Sequence, residues 1–319
     1  MFKYILIALV LVIALMGLYA WPKREKQALE AAEKREADNA GSSGATKEAV
    51  LKKMSPTWEK TRLPAIKVET RPSRETALTE SKFFGRSFYL PKGKSFPKDK
   101  KDRPMALLAQ INFAESPPLE GYPQSGLLQI FISAHDDHYG SHFEGFSEGF
   151  DFASQNGYEV RFYPEIDTDE ANLETDFTFL PHPGNETGDM VLLPGEVECG
   201  LKFSRMDHLA TPSDYRFKRY FPSEFFDQFP GLDRYEAMDA AYESQETFGH
   251  QIGGYASFTQ TDPRSYAAPD KDWKLLLQID SDNESKIMWG DVGIANFFIT
   301  PGDLAKRDFS KVIYNWDCH

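Results

Sequence analysis

The sequence predicts an α+β protein: a duplicated, mainly antiparallel β-sheet core with helical insertions, preceded by one transmembrane helix. Three observations lead there. An unbroken apolar run opens the chain, short period-two segments recur in the same order in two halves, and stretches of helical character lie between them.

The apolar run comes first in the chain. Phe2 to Trp21 holds one charge, Lys3, and Tyr4 to Ala20 is uninterrupted. Twenty helical residues rising about 1.5 Å each span about 30 Å, the hydrocarbon thickness of a bilayer. Tyr19 and Trp21 suit the interface, and Pro22 stops the helix. The rival reading is a cleaved signal peptide, against which Leu18-Tyr19-Ala20 makes a poor small-x-small cleavage site. Residues 1–22 therefore read as an anchor that meets the membrane through residues 2–21. Lys23, Arg24, Lys26, Lys34 and Arg35 outnumber the charges before the helix, which places the body in the cytoplasm by the positive-inside rule. An exported body is the alternative. Residues 23–53 read as a charged stalk or linker, with a solvated helix over Gln27 to Asn39 and a flexible break over Ala40 to Thr46.

Residues 54–319 form the body. Apolar residues make up 41% of the chain, enough for a large core, and the 25 Phe exceed the 14 Tyr and 5 Trp together. Phe has no polar handle, so the excess indicates packing. Two cysteines, Cys199 and Cys318, make no disulfide framework and form no C-x-x-C pair. The net charge of −13 is unevenly placed: residues 1–79 hold 14 of the 36 Lys and Arg but 9 of the 49 Asp and Glu. The remainder holds 22 against 40, a balance of −18 that repels nucleic-acid phosphates. No nucleic acid is expected as a partner; a basic protein is.

The duplication rests on three collinear matches. Leu107-Leu108-Ala109-Gln110-Ile111 recurs as Leu275-Leu276-Leu277-Gln278-Ile279, and Gly126-Leu127-Leu128-Gln129-Ile130-Phe131 as Gly293-Ile294-Ala295-Asn296-Phe297-Phe298. Phe84-Gly85 aligns with Ile252-Gly253 at nearly the same offset. The repeat covers about 80–145 and 248–310. Alternation of apolar and polar positions makes both pairs strands. Gln110, Gln129, Gln278 and Asn296 then stand at equivalent places among apolar neighbours. Two readings are open: amides satisfied within the sheet, or a polar binding cleft where the halves meet. Between the repeats, Tyr215 to Phe229 is aromatic and charged, and Asp233 can cap a helix running to Ser244 with Tyr235, Met238 and Tyr242 on one face.

Longer motifs carry a resemblance. Ser81-Lys82-Phe83-Phe84-Gly85, Tyr89-Leu90-Pro91-Lys92-Gly93 and Pro104 to Phe113 resemble the opening of the YwqG-like family. His250-Gln251-Ile252-Gly253-Gly254-Tyr255, Phe258 to Arg264, Trp289 to Ile299 and Tyr314 to Cys318 resemble its second half. The resemblance covers roughly residues 55–319 and implies a bacterial protein of α+β fold with a duplicated core. It carries over no activity. One departure is that the family's first Gly-Gly stands here as Phe84-Gly85.

Several constellations bear on chemistry. His135, Asp136, His138 and His142 follow a strand and offer ligand types for a divalent metal; the same segment also reads as a solvated acidic turn. Asp280-Ser281-Asp282-Asn283-Glu284 starts like a calcium loop but has Ser285 where Gly belongs. His250 ahead of Gly253-Gly254 is a candidate general base, although no nucleophile elbow, Walker A or dinucleotide-binding pattern accompanies it. Arg264, two residues after Asp262, is a candidate binding residue that also suits a loop-locking ion pair. Glu196 and Glu198 share a strand face, a spacing that rarely makes a glycosidase pair. Two function classes follow: a membrane-anchored, non-catalytic module that binds a protein, an immunity-type role being one version, or a metal-dependent hydrolase using His135–His142.

Overall fold

The computed structural model describes residues 47–72, 76–135, 138–141, 155–180, 193–195, 197–229, 234–243, 249–267 and 271–319. The apolar run 2–21 and most of the stalk lie outside these. Among the described residues no helix is long and apolar enough to cross a membrane. The described residues fall into two compact units, one within 47–56 and 223–243 and one within 57–222 and 249–319.

In the smaller unit, residues 47–56 are helical, and Val50 and Met54 are buried. Lys53 lies over the Phe229 ring at 5.7 Å and donates to Gln228. Helix Arg234–Glu243 differs from the expected face: it buries Ala237, Ala240 and Ala241, while Tyr235 is 76% exposed. Its small residues permit close packing, which the aromatic stripe read from sequence would not.

The larger unit is a ten-stranded sheet in which every pairing is antiparallel. The strands are β1 (Leu63–Pro72), β2 (Lys82–Phe83), β3 (Ala106–Asn112), β4 (Leu127–Ile132), β5 (Tyr158–Tyr163) and β6 (Cys199–His208). They continue as β7 (His250–Gly253), β8 (Lys274–Asp280), β9 (Ile294–Ile299) and β10 (Ile313–Asp317). Their order across the sheet is β10-β9-β8-β7-β1-β6-β2-β3-β4-β5. The two hairpins correspond: β3–β4 pairs Gln110 with Gln129, β8–β9 pairs Gln278 with Asn296, and both break register at the equivalent step, Leu107/Ala109 and Leu275/Leu277.

Two corrections to the repeat follow. Lys82 faces Gln110 and Gln251 faces Gln278, so Phe84-Gly85 corresponds to Gly253-Gly254, one residue on from the sequence match. The repeat also reaches further than 80–145 and 248–310. β1 and β6 are equivalent, and each is exchanged: β1, ahead of the first repeat, pairs with β7 of the second, while β6 pairs with β2 of the first. The two exchanged strands meet in the middle along ten residue pairs, from Leu63↔His208 to Pro72↔Cys199.

Both faces are covered, since every residue of β4 and β9 is buried. One apolar cluster runs through both halves, including Ile66, Phe83, Leu108, Ile130, Leu276 and Phe297. On such strands an amide must find partners inside the protein. Gln110 Oε1 accepts the Tyr89 N–H at 3.0 Å and Gln278 Oε1 the Ser257 N–H at 2.8 Å. Gln129 and Asn296 donate to the carbonyls of those same two residues at 2.7 and 2.8 Å. The amides thus pin one loop in each half. Replacing Gln278 or Gln110 by Leu strands a buried N–H, and each change is expected to cost about 1–3 kcal/mol. Urea denaturation of the two variants checks this; unaltered midpoints would mean the loops hold themselves.

Candidate functional site

A cavity of about 400 Å³ opens in the second half of the sheet. Its floor is Gly253-Gly254 at the end of β7; Leu63 and Pro64 of β1, Leu275 of β8 and helix Pro301–Lys306 contribute walls. The β3–β4 loop reaches over from the first repeat to close it, with Tyr122 Oη donating to the Leu275 carbonyl at 2.8 Å. Burial pushes the Tyr122 phenol well up, so it stays protonated as a donor. Both glycines have left-handed φ, 75° and 74°. A Cβ on Gly253 would sit 2.7 Å from Leu119, and one on Gly254 2.6 Å from His208 Nδ1. Only glycine leaves this floor open.

Beneath the rim lies a buried charge network. Asp214-Tyr215-Arg216 and Asp262-Pro263-Arg264 are two Asp-x-Arg triplets with the same local geometry. In each, the Asp Oδ1 accepts the Arg backbone N–H at 3.0 Å and Nε at 2.9 Å, and Oδ2 accepts Nη2 at 2.7 Å. The triplets are joined by Arg264 Nη2 donating to Asp214 at 2.9 Å. Burial alone would raise the Asp214 carboxyl, but the Arg264 and Arg216 guanidiniums outweigh it and hold the group well below the usual range. Arg264 is fully buried and lies over Phe298 at 4.1 Å and Tyr215 at 4.8 Å. Arg216 stacks on Tyr255 at 4.4 Å, donates from Nη2 to the Gly254 carbonyl at 3.0 Å and reaches the cavity. His208, which accepts the Tyr255 N–H at 3.2 Å, is pushed down to about 4, chiefly by burial and also by Arg216.

The residues singled out from sequence are distributed differently. Arg264 belongs to the network, but Gln110, Gln129, Gln278 and Asn296 are buried away from the cavity and engaged with backbone. His250 is buried on β7; its Nδ1 accepts the Asp280 N–H at 3.0 Å, its Nε2 lies 3.6 Å from Asp282, and Phe83 packs edge-on at 5.1 Å. Asp282 is in turn held by Thr70 at 3.0 Å. Nearby Cys199 has its thiol pushed up by burial, opposite to what a nucleophile needs. Of the proposed metal ligands, Asp136 and His142 lie outside the described residues. His135 meets the Pro104 carbonyl at 3.0 Å, and His138 is exposed. Among the described residues no cluster of acids, His and Cys is arranged to hold a metal ion. Glu198 accepts from Thr76 at 2.9 Å and pairs with buried Lys82 at 3.4 Å; Glu196 lies outside the described residues.

Sequence reasoning passed over Asp214, Arg216, His208 and Tyr122. The available signal was the Asp-x-Arg triplet occurring once ahead of each of two aromatic-rich segments.

Residues 81–318 match the family model of a domain of unknown function, DUF1963. The chain belongs to this family. A search of curated proteins finds no match. The family model begins after β1, so Leu63 and Pro64 of the cavity wall stand outside the matched region.

The depressed His208 has a signed consequence. Its ring binds a proton less readily folded than unfolded, so its contribution to stability is complete above pH 6.5 and is lost as pH falls toward 4. The loss is on the order of 3 kcal/mol. Asp280 and Asp317, both raised by burial, act with the opposite sign. The measurement is therefore a difference: His208→Asn, which keeps an acceptor for Tyr255, should flatten the fall in unfolding free energy between pH 6.5 and 4 relative to the unaltered chain.

Proposed function

We propose that this chain is a YwqG-like, membrane-anchored module that binds a protein partner and catalyses no reaction on it. One observation carries the reading: among the described residues, those lining the cavity include no Ser, Thr, Cys, His or Asp. They comprise apolar side chains and glycine backbone, with Arg216, Lys274, Glu120 and the Tyr122 hydroxyl as polar groups. Such a lining can hold and orient a ligand; its Tyr122 hydroxyl is taken up by the Leu275 carbonyl, and Lys274 and Glu120 make no hydrogen bond with one another among the described residues, so no nucleophile is paired with a base.

The charge of the body supports a basic partner. Glu165, Asp167, Asp169, Glu170, Glu174 and Asp176 follow one another on the segment after β5, and all but Glu174 are exposed. Phe179, 52% exposed, adjoins them. A surface of this sign steers a cationic protein and speeds its docking. In the immunity-type version of this role the partner is a basic toxin. The anchor, residues 2–21, concentrates the body at the membrane, and the basic flank from Lys23 to Arg35 places it on the cytoplasmic side.

Affinity capture with the full-length chain is expected to recover a basic protein, and co-expression to protect against its toxicity. Glu165→Gln with Glu170→Gln, two exposed acids with no side-chain hydrogen bond among the described residues, should slow association several-fold at low salt and have no effect at about 1 M salt, where screening shortens to ~3 Å. Recovery of no basic partner, together with no protection, overturns the proposal.

A further inference from the structure

The geometry points to the Gly253-Gly254 cavity as a carboxylate site, one that seats the free carboxyl end of a ligand whose terminal group is apolar. This rests on the reading of the cavity as a place of binding and adds the chemistry of what enters it.

Size sets the first limit. At about 400 Å³ the cavity admits one side chain with its terminal group, and no folded element of a partner. The lining sets the second. Leu119, Leu275 and Leu304 present hydrocarbon, so the body of the ligand is apolar.

Arg216 defines the polar end. Its Nε and Nη2 are consumed by Asp214 and the Gly254 carbonyl, whereas Nη1 has no partner among the described residues. The side chain is only 12% exposed and is clamped between the Asp214 fork and the Tyr255 ring. An N–H donor held this firmly needs no further ordering when a ligand oxygen arrives.

Charge selects the anion. Arg216 and Arg264 are matched by Asp214 and Asp262, so that network is neutral as a whole. Lys274 lines the cavity and makes no side-chain hydrogen bond or ion pair among the described residues. One uncompensated ammonium beside one free guanidinium nitrogen, whose two N–H groups belong to an arginine already matched by Asp214, suits a carboxylate monoanion better than a phosphate dianion. Glu120, the acid on the lining, is exposed at the rim, where water screens it.

Two sources offer this chemistry: the C-terminus of a polypeptide and a small free acid. Calorimetric titration of the full-length chain with acetyl-Ala-Ala-Leu, with the same peptide ending in an amide, and with 4-methylpentanoate separates them. The free-acid peptide should bind about tenfold more tightly than the amide, the difference expected of a charge-assisted bond. Lys274→Gln should reduce that preference about threefold or more. Arg216→Gln should abolish it; if that variant does not fold, Lys274→Gln and the acid–amide comparison still decide. Binding of 4-methylpentanoate without the peptide assigns the site to a small acid and sustains the proposal. Equal binding of acid and amide, no binding by any of the three, or a preference unmoved by Lys274→Gln overturns it. Should the chain still capture a basic protein after such a result, the carboxylate site alone would fall; binding of the acids without any captured partner would sink the other reading instead.

Discussion

The pairing of β1 with β6 governs the larger unit. Each of these strands is the first of its repeat, and each is given to the other repeat, so the ten residue pairs between them lie at the centre of a single sheet. The central pair, Glu69↔Lys202, maps onto itself when the halves are interchanged. Neither repeat can complete its own sheet edge. An unpaired edge would expose a row of backbone donors and acceptors, and exchange removes that exposure for both halves at once. The hairpin loops follow the same logic. Tyr122 of the first repeat bonds Leu275 of the second, while Trp289 of the second packs edge-on against Tyr139 of the first at 5.4 Å.

Within this near-symmetry the two halves differ at the end of the strand that carries the glycine pair. Gly253-Gly254 in the second half becomes Phe84-Gly85 in the first, with Phe84 retaining a left-handed φ of 57° that a bulky side chain adopts only under constraint. Its ring occupies the space against Gly195, where a Cβ would come within 2.4 Å. Gln251 is replaced by Lys82, and Ala65 by Glu198, whose carboxylate takes the room that a Cβ on Gly85 would need. The first half thus carries a buried ion pair and a phenyl ring where the second keeps an open floor. The two positions are equivalent in the sheet, and only one is accessible.

The sequence displayed the strands with strong periodicity and a marked polar residue, which is why β3, β4, β8 and β9 were readable down to the paired amides. It concealed β1 and β6. Their sequences, LPAIKVETRP and CGLKFSRMDH, share little, and the long segment between β6 and β7 has no counterpart between β1 and β2, so a constant offset misses them. The one-residue error at Phe84-Gly85 has a related cause: glycine matched glycine, whereas the ladder requires a phenylalanine to stand where the copy has a glycine. The cavity was less readable still. It is assembled from β1, the β3–β4 loop, β7, β8 and a helix, segments distant in sequence, and the residue that gives it a polar end, Arg216, sits in a stretch, Tyr215 to Phe229, whose aromatic and charged content carries no mark of a cavity.

The linked network of buried charges lies on the side that stayed open. Two buried ion pairs linked into one network are an uneconomical way to stabilise a fold, since desolvation of each ion costs several kcal/mol and apolar replacements of equal volume often do as well. Apolar packing adjoins the network: Phe258 and Phe298 stack at 6.1 Å beside Arg264, in a cluster with Trp273, Leu275 and Ile313. What apolar residues would not do is fix Arg216. Asp214 is held by Arg264 and by the Ala256 N–H at 3.0 Å, and Asp262 by the Tyr215 N–H at 2.9 Å, so the carboxylate that grips Arg216 is itself immobile. The network converts a long, flexible side chain into a rigid donor at the mouth of an apolar cavity. Orientation, more than stability, is the property that this arrangement secures, and it is secured beside the glycine pair that the first half lacks.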